Sequence, residues 1–183
     1  MSVATWREVA HARRILVHGV TGSGKSTIAL ALGSVLDLPV TLVDEEMWLP
    51  GWVPVPEAEQ DVLAARWIAR DEWILDSVYG RHLAVTVTRA DVVIGLDYPR
   101  LISLGRLVRR TATGIVTKEQ RCNGNTESLR NAFSRDSIIR WHFRSWRRKR
   151  DTMQAWLADP SGPPVILLKP PRDADELLRR LRS

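Results

Sequence analysis

The sequence predicts an α/β fold in three layers, a five-stranded parallel sheet between helices, with a small Arg-rich helical lid. Three observations predict it. Five short runs of β-branched and aliphatic residues recur along the chain, segments with helical spacing separate them, and the first run passes through a glycine-rich turn directly into a helix. Strands alternating with helices give a parallel sheet wrapped by helices. The near-continuous apolar character of the runs suits burial on both faces.

In chain order, RILVH (Arg14 to His18) is the first strand and the segment from Lys25 to Leu36 the first helix after it. VTLVD (Val40 to Asp44) is the second strand. LPGWVPVP (Leu49 to Pro56) is too rich in proline for either element and reads as a loop before a helix from Glu57 to Arg70. WILD (Trp73 to Asp76) and VVIGLD (Val92 to Asp97) are the third and fourth strands. A helix from Arg100 to Thr111, a loop TKEQRCNGNTES (Thr117 to Ser128) and a helix from about Asp136 to Leu157 follow. DPSGPP (Asp159 to Pro164) is a turn before the fifth strand, VILLK (Val165 to Lys169). The final helix, Asp173 to Leu181, opens on an acid-rich turn that suits a helix N-terminus. No internal repeat or low-complexity tail interrupts this order. The 183 residues fit one domain, 1–183, with the lid as an insertion at about 111–135.

Composition narrows the partners. The chain is 44% hydrophobic and 26% charged, with a formal charge of +6 that favours anionic ligands. No apolar run is long enough to cross a bilayer, and the first residues mix Arg and Glu with isolated apolar positions. Together with a single cysteine, Cys122, this predicts a cytoplasmic protein, monomer or homodimer, without a disulfide.

The turn GVTGSGKS fits the Walker A pattern GxxxxGK[ST] with Gly19, Gly24, Lys25 and Ser26. Its context agrees, because a buried strand precedes it and a helix follows. Backbone amides from Thr21, Gly22, Ser23, Gly24, Lys25, Ser26 and Thr27 then surround phosphate oxygens, the helix N-terminus adds positive potential, and Lys25 reaches the outer phosphates. Ser26 supplies a hydroxyl to Mg2+. ATP with Mg2+ is the expected cofactor pair of such a P-loop NTPase fold.

Phosphoryl transfer needs charge neutralisation around the moving group and a positioned acceptor. Acids close three strands, Asp44, Asp76 and Asp97, where an open parallel sheet borders its ligand crevice. Asp76, after the apolar WIL, is the candidate to orient a Mg2+-bound water. Asp44 either binds the acceptor or takes a proton from it. Asp97, two residues before Pro99, is expected to cap the helix that begins near Arg100. Trp48 and Trp52 either stack on a substrate ring or pin the proline-rich loop to the core.

The order of P-loop, acid after the second strand, DEWILDSVYGR, LDYPR and an Arg-rich returning helix resembles the nucleoside monophosphate kinase group. It is most similar to adenylate-kinase-related proteins often called topology modulation proteins, whose Asp, aromatic and PGW pattern VDEEMWLPGW resembles. The resemblance implies an ATP-dependent kinase of a nucleoside monophosphate or another small molecule. It places Asp76 at the acid of a turn that carries a phosphate-binding Arg, with Arg81 near that Arg although DSVYGR is one residue longer. Arg106 and Arg110, on one helix face, correspond to the arginines that open the lid. Arg135, followed by Asp136, resembles the pair on the lid's returning side, with Arg144 or Arg147 as a further phosphate contact. KPPRDADELL resembles the segment that closes over adenine. The usual Thr-Gly-Asp turn of the acceptor segment is replaced by DEEMWLPGWVPVP, so the acceptor site is taken to involve Asp44, Trp48 and Arg81.

Two readings from other classes stand beside the kinase. RWHFRSWRRKR interleaves Arg with aromatic residues as single-strand binders do, which suits a nucleic-acid-associated regulatory ATPase. No compact DNA-recognition motif accompanies it. A GTPase switch lacks an NKxD-like guanine motif.

Overall fold

The five expected strands lie side by side in one parallel sheet. The computed structural model describes residues 3–126 and 138–182. In chain order the helices are α1 (Trp6–His11), α2 (Lys25–Leu36), α3 (Val43–Met47), α4 (Glu57–Ile68), α5 (Leu83–Arg89), α6 (Arg100–Thr117), α7 (Ile138–Ala158) and α8 (Pro171–Leu181). The central strands are β1 (Arg14–Gly19), β2 (Val40–Thr41), β5 (Trp73–Leu75), β6 (Val92–Leu96) and β9 (Val165–Leu168), in the order β2-β5-β1-β6-β9. Two antiparallel hairpins stand apart from it, β3 (Trp48–Leu49) with β4 (Val53–Pro54), and β7 (Gln120–Arg121) with β8 (Asn125–Thr126).

Side-chain alternation along the strands builds the two cores. Ile15 and Val17 of β1 and Val92 and Ile94 of β6 join Ile28, Leu32 and Leu177 on one face. Leu16 and Val93 point the other way, to Met47, Trp67, Trp73 and Leu75. Each fully buried aliphatic side chain contributes about 1.5–3 kcal/mol of transfer free energy. At the amino ends of the strands, Asp91 accepts from the Arg13 and Arg14 amides at 3.0 and 2.9 Å and from the Arg14 guanidinium at 2.6 Å. This ties the start of β1 to that of β6.

The chain leaves β1 toward β2 and β5 on one side, then places β6 on the other. The order therefore reverses beside β1, and a ligand crevice opens at its carboxyl end. The P-loop occupies that position.

Several boundaries differ from expectation. The second strand stops at Thr41, and Asp44 sits in the first turn of α3, because Asp76 Oδ1 accepts the Val43 N–H at 2.9 Å and turns the chain. The proline-rich stretch is partly ordered as β3 and β4, closed by Gly51 at φ 81° and Trp52 at φ 59°. α6 runs to Thr117, six residues beyond the expected start of the lid, since Ser103, Leu107, Thr111 and Gly114 keep a buried stripe along it. On α7 the buried positions are His142, Ser145 and Met153, and Trp141 is exposed.

Candidate active site

The phosphate loop is shaped by close packing against α6. Gly22 has φ +83°, and a Cβ there would lie 2.3 Å from the Ser103 carbonyl oxygen. Gly24, at φ +95°, is the N-cap of α2. Both conformations are open to glycine at little strain. The first-turn amides of α2 have no partner within the helix and are available to an anion at its positive end.

Lys25 Nζ donates to the Val20 carbonyl at 3.2 Å across the loop. Burial holds its pKa below the usual lysine value, Asp44 and Asp76 oppose that shift, and Arg110 adds to it. The lysine, both acids and Arg110 therefore act on one another in one crevice. Arg106 reaches the same loop, donating from Nη1 to the Ser23 carbonyl at 3.3 Å while its guanidinium lies 5.5 Å from the Tyr98 ring centre. Arg106 thus touches the P-loop, and the charge of Arg110 is felt at Lys25. Arg135 and Asp136 lie outside the described residues.

Ser26 Oγ donates to Asp76 Oδ2 at 2.6 Å. Asp76 is buried, which raises its pKa, and the Ser26 hydroxyl and Val43 amide oppose the rise. A hydroxyl and a carboxylate at the phosphate end of the loop form a hard oxygen set. Such a set fits Mg2+, which keeps several waters and takes few protein ligands.

Beside this donor site is a cleft of about 350 Å³ lined by Met47, Trp48, Glu57, Gln60, Tyr79 and Arg81, among others. Asp44 joins the two, being exposed, close enough to raise the Lys25 pKa, and accepting from the Tyr79 hydroxyl at 3.3 Å. Burial and the Asp44 charge push the Tyr79 phenol upward. Arg81 lies on the 3₁₀ turn Gly80–His82 and pairs with Glu57 and Asp61, at 3.0 Å each. Its guanidinium lines the cleft but is already neutralised there.

Trp48 faces the cleft, and Trp52 packs edge-on against it with ring centres 5.8 Å apart. Trp52 also donates from its amide to Asn125 Oδ1 at 2.8 Å and from Nε1 to the Thr126 carbonyl at 3.1 Å. It pins the β3–β4 hairpin, but to β7–β8. Asn123 Nδ2 adds bonds to the Glu45 and Trp48 carbonyls at 3.0 and 2.7 Å. The residues Cys122, Asn123 and Gly124, all at positive φ, form the tight turn that aims these amides.

Asp97 does not cap α6, whose N-cap position is Pro99 with no side-chain bond. It instead pairs with Arg150 at 3.2 Å and accepts from Gln154 at 3.3 Å, fastening α7 to the end of β6. Arg144 and Arg147 are exposed on α7. Sequence reasoning missed Lys149, half-buried on α7, and His18, whose imidazole is buried just before the P-loop. The Asn123 and Asn125 clasp was also missed, although Asn-Gly inside a loop is a hairpin signal.

These features define an α/β fold of the P-loop kinase type. The sequence matches no protein-family model, and no curated protein is significantly similar to it. Among solved structures, the chain is similar to a shikimate kinase from Acinetobacter baumannii in complex with shikimate, at 14% identity and a TM-score of 0.59, covering 97% of this chain and 94% of that one. A gluconokinase from Sinorhizobium meliloti 1021 gives 15% identity and 0.52 over 91% and 87%. A deoxyadenosine kinase from M. mycoides gives 12% and 0.51 over 91% and 95%. At these identities the likeness is one of fold. No helix among the described residues is long and apolar enough to cross a membrane.

Proposed function

We propose that this protein is an ATP-dependent phosphotransferase, adenylate-kinase-like in architecture, that moves the γ-phosphoryl group of ATP to a small acceptor. One observation carries the reading: Asp44 belongs at once to the donor crevice, through Lys25, and to the neighbouring cleft, through Tyr79. An acceptor seated on Trp48 therefore meets the donor phosphate beside a carboxylate. Lys25, Arg106 and Arg110 bind the phosphates, and the α2 amides hold their oxygens. Ser26 and Asp76 would hold Mg2+, which supplies charge neutralisation on the phosphates when bound. Asp44 orients the acceptor hydroxyl and takes its proton as the oxygen bonds to phosphorus, while ADP leaves.

The acceptor class follows from charge. Arg81 is paired with Glu57 and Asp61, and Asp44 adds a further negative charge at the same cleft. This favours an uncharged, hydroxyl-bearing acceptor over a nucleoside monophosphate.

ADP formation from Mg-ATP over a panel of nucleoside monophosphates and small polyols, with the acceptor-free rate subtracted, tests the reading. One hydroxyl compound is expected to stimulate turnover, and Lys25→Ala to reduce it by at least about a hundredfold with the fold intact. Full turnover in Lys25→Ala, or no stimulation by any acceptor, refutes it.

The nucleic-acid reading draws on exposed Trp141 and Phe143 of α7. Arg148 lies over the first at 5.6 Å and Arg100 over the second at 4.1 Å, so one face of each ring is already covered. A steep fall of single-stranded DNA affinity with salt would support it in place of the kinase.

A further inference from the structure

α7 crosses over the carboxyl end of β1 with one inward-facing row of buried and half-buried side chains, and the half-buried Lys149 stands in the middle of it. His142, Ser145, Lys149, Met153 and Trp156 are spaced three or four residues apart and share a helix face. The row is anchored on both sides of Lys149. His142 Nε2 bonds Ser103 Oγ of α6 at 2.9 Å, Met153 lies against Gly95 of β6, and the Trp156 ring meets His18 of β1 edge-on at 4.8 Å. Arg150 and Gln154, one residue on from the row, hold Asp97. The lysine is thus fixed over the P-loop end of β1.

Its charge is unpaired: Lys149 forms no ion pair with any carboxylate among the described residues, in contrast to Arg150, its chain neighbour. Burial together with the charges of Lys25 and Arg148 holds its pKa down to about 8, and only Asp44 pulls the other way. Its field also reaches His18, which burial keeps neutral. A cation removed from water is expensive unless an anion or hydrogen-bond acceptor meets it. The position that repels it, Lys25, and the one that attracts it, Asp44, bracket the path from donor to acceptor.

We propose that Lys149 is a second lysine of the phosphate site, whose ammonium group closes on the terminal phosphoryl of bound ATP between Lys25 and Asp44. Lys25 spans the loop and the outer phosphates, while Lys149 contacts the group that is transferred. A point-charge ammonium suits this place, since its three donors can follow the phosphoryl oxygens as the group moves. This rests on the reading of the P-loop as an ATP site.

The test uses calorimetric titration of the full chain with Mg-ATPγS and with Mg-ADP, which needs no acceptor. The wild type is expected to bind both. Lys149→Met, of similar length and apolar, and Lys149→Gln are expected to weaken ATPγS by about ten- to hundredfold while ADP affinity stays within about twofold. Lys149→Arg, which keeps the charge, should retain the preference for ATPγS. Equal weakening of both nucleotides marks a packing role and overturns the assignment, as does unchanged ATPγS affinity or a Lys149→Arg that behaves like Lys149→Met. A wild type that binds neither nucleotide overturns the ATP site itself and this assignment with it.

Discussion

Asn125→Ala separates two hairpins that the structure joins. Asn125 is buried, with 4% of its surface exposed, and its Oδ1 accepts the Trp52 amide at 2.8 Å. Its Nδ2 donates to the Leu49 carbonyl at 2.9 Å and to the Cys122 carbonyl at 2.5 Å. Two of these bonds cross from β7–β8 to β3–β4, and the third braces the turn that carries the side chain. Each nets about 0.5–1.5 kcal/mol, and water reaching this partly exposed hairpin recovers part of the loss, so the clasp weakens by about 2–3 kcal/mol. The Trp52 Nε1 and Asn123 bonds remain, and neither core cluster includes Asn125. The change is therefore local opening. Amide hydrogen exchange followed by mass spectrometry on peptides covering residues 47–56 should accelerate by about 30- to 100-fold, with β1 and β6 unchanged. Asn125→Asp should do the same, because a carboxylate oxygen then faces two carbonyls. Unchanged exchange in the hairpin, or acceleration spread evenly over the central sheet, refutes the clasp.

Two further perturbations probe the frame beneath the site. Asp91 is held below the usual carboxylate range: burial raises its pKa, but the Arg14 guanidinium and the Arg13 and Arg14 amides outweigh this. Such a group stabilises the fold above its unfolded pKa of about 3.9, and that stability is lost as pH falls through the lower folded value. Asp91→Asn should thus lower stability by about 1–3 kcal/mol at pH 7 and flatten the acid limb of a thermal-melting series below about pH 4; an unchanged limb counts against the pairing. Gly22→Ala places a methyl 2.3 Å from the Ser103 carbonyl at φ +83°. It should cost about 2–4 kcal/mol by chemical denaturation and abolish Mg-ADP binding, whereas a variant that binds normally would show that α6 does not shape the loop.

The parallel sheet was legible because five short runs of aliphatic residues, each followed by a helix or turn signal, leave few other arrangements. The phosphate loop was legible because Gly24, at φ +95°, is a fixed position of the motif, whereas the motif leaves Gly22 free although its φ of +83° and its closeness to Ser103 equally demand glycine. Asp44 was misplaced by a few residues of backbone, since VTLVD looks like an unbroken strand while the turn is made by a distant carboxylate, Asp76, on the Val43 amide. The same blindness to tertiary contacts made Asp97 look like a helix cap, when its partners, Arg150 and Gln154, come from α7 more than fifty residues later. Lys149 sits inside the basic run RWHFRSWRRKR, where nothing in the composition sets it apart from its arginine neighbours. The spacing from His142 to Trp156 was the available signal, and it is weak because three of its five members, His142, Ser145 and Lys149, are polar or charged.

Under the proposed function, the phosphate loop and the neighbouring cleft differ in charge as a donor site and an acceptor site should. Around the P-loop, Lys25, Arg106, Arg110 and Lys149 face Asp44 and Asp76, two more cations than acids. Mg-ATP carries a net charge of about −2, so its arrival neutralises the crevice without either partner changing protonation. The cations are drawn from α2, α6 and α7, and their mutual repulsion falls as the nucleotide binds. Lys149, held down by burial and by the charges of Lys25 and Arg148, shares in that change. Across Asp44 the balance inverts, since Arg81 is spent on Glu57 and Asp61. A second phosphate-bearing substrate would have to break those pairs or approach three carboxylates. A hydroxyl needs neither, so under the proposed function the cleft suits a neutral nucleophile and the phosphate loop a highly charged donor.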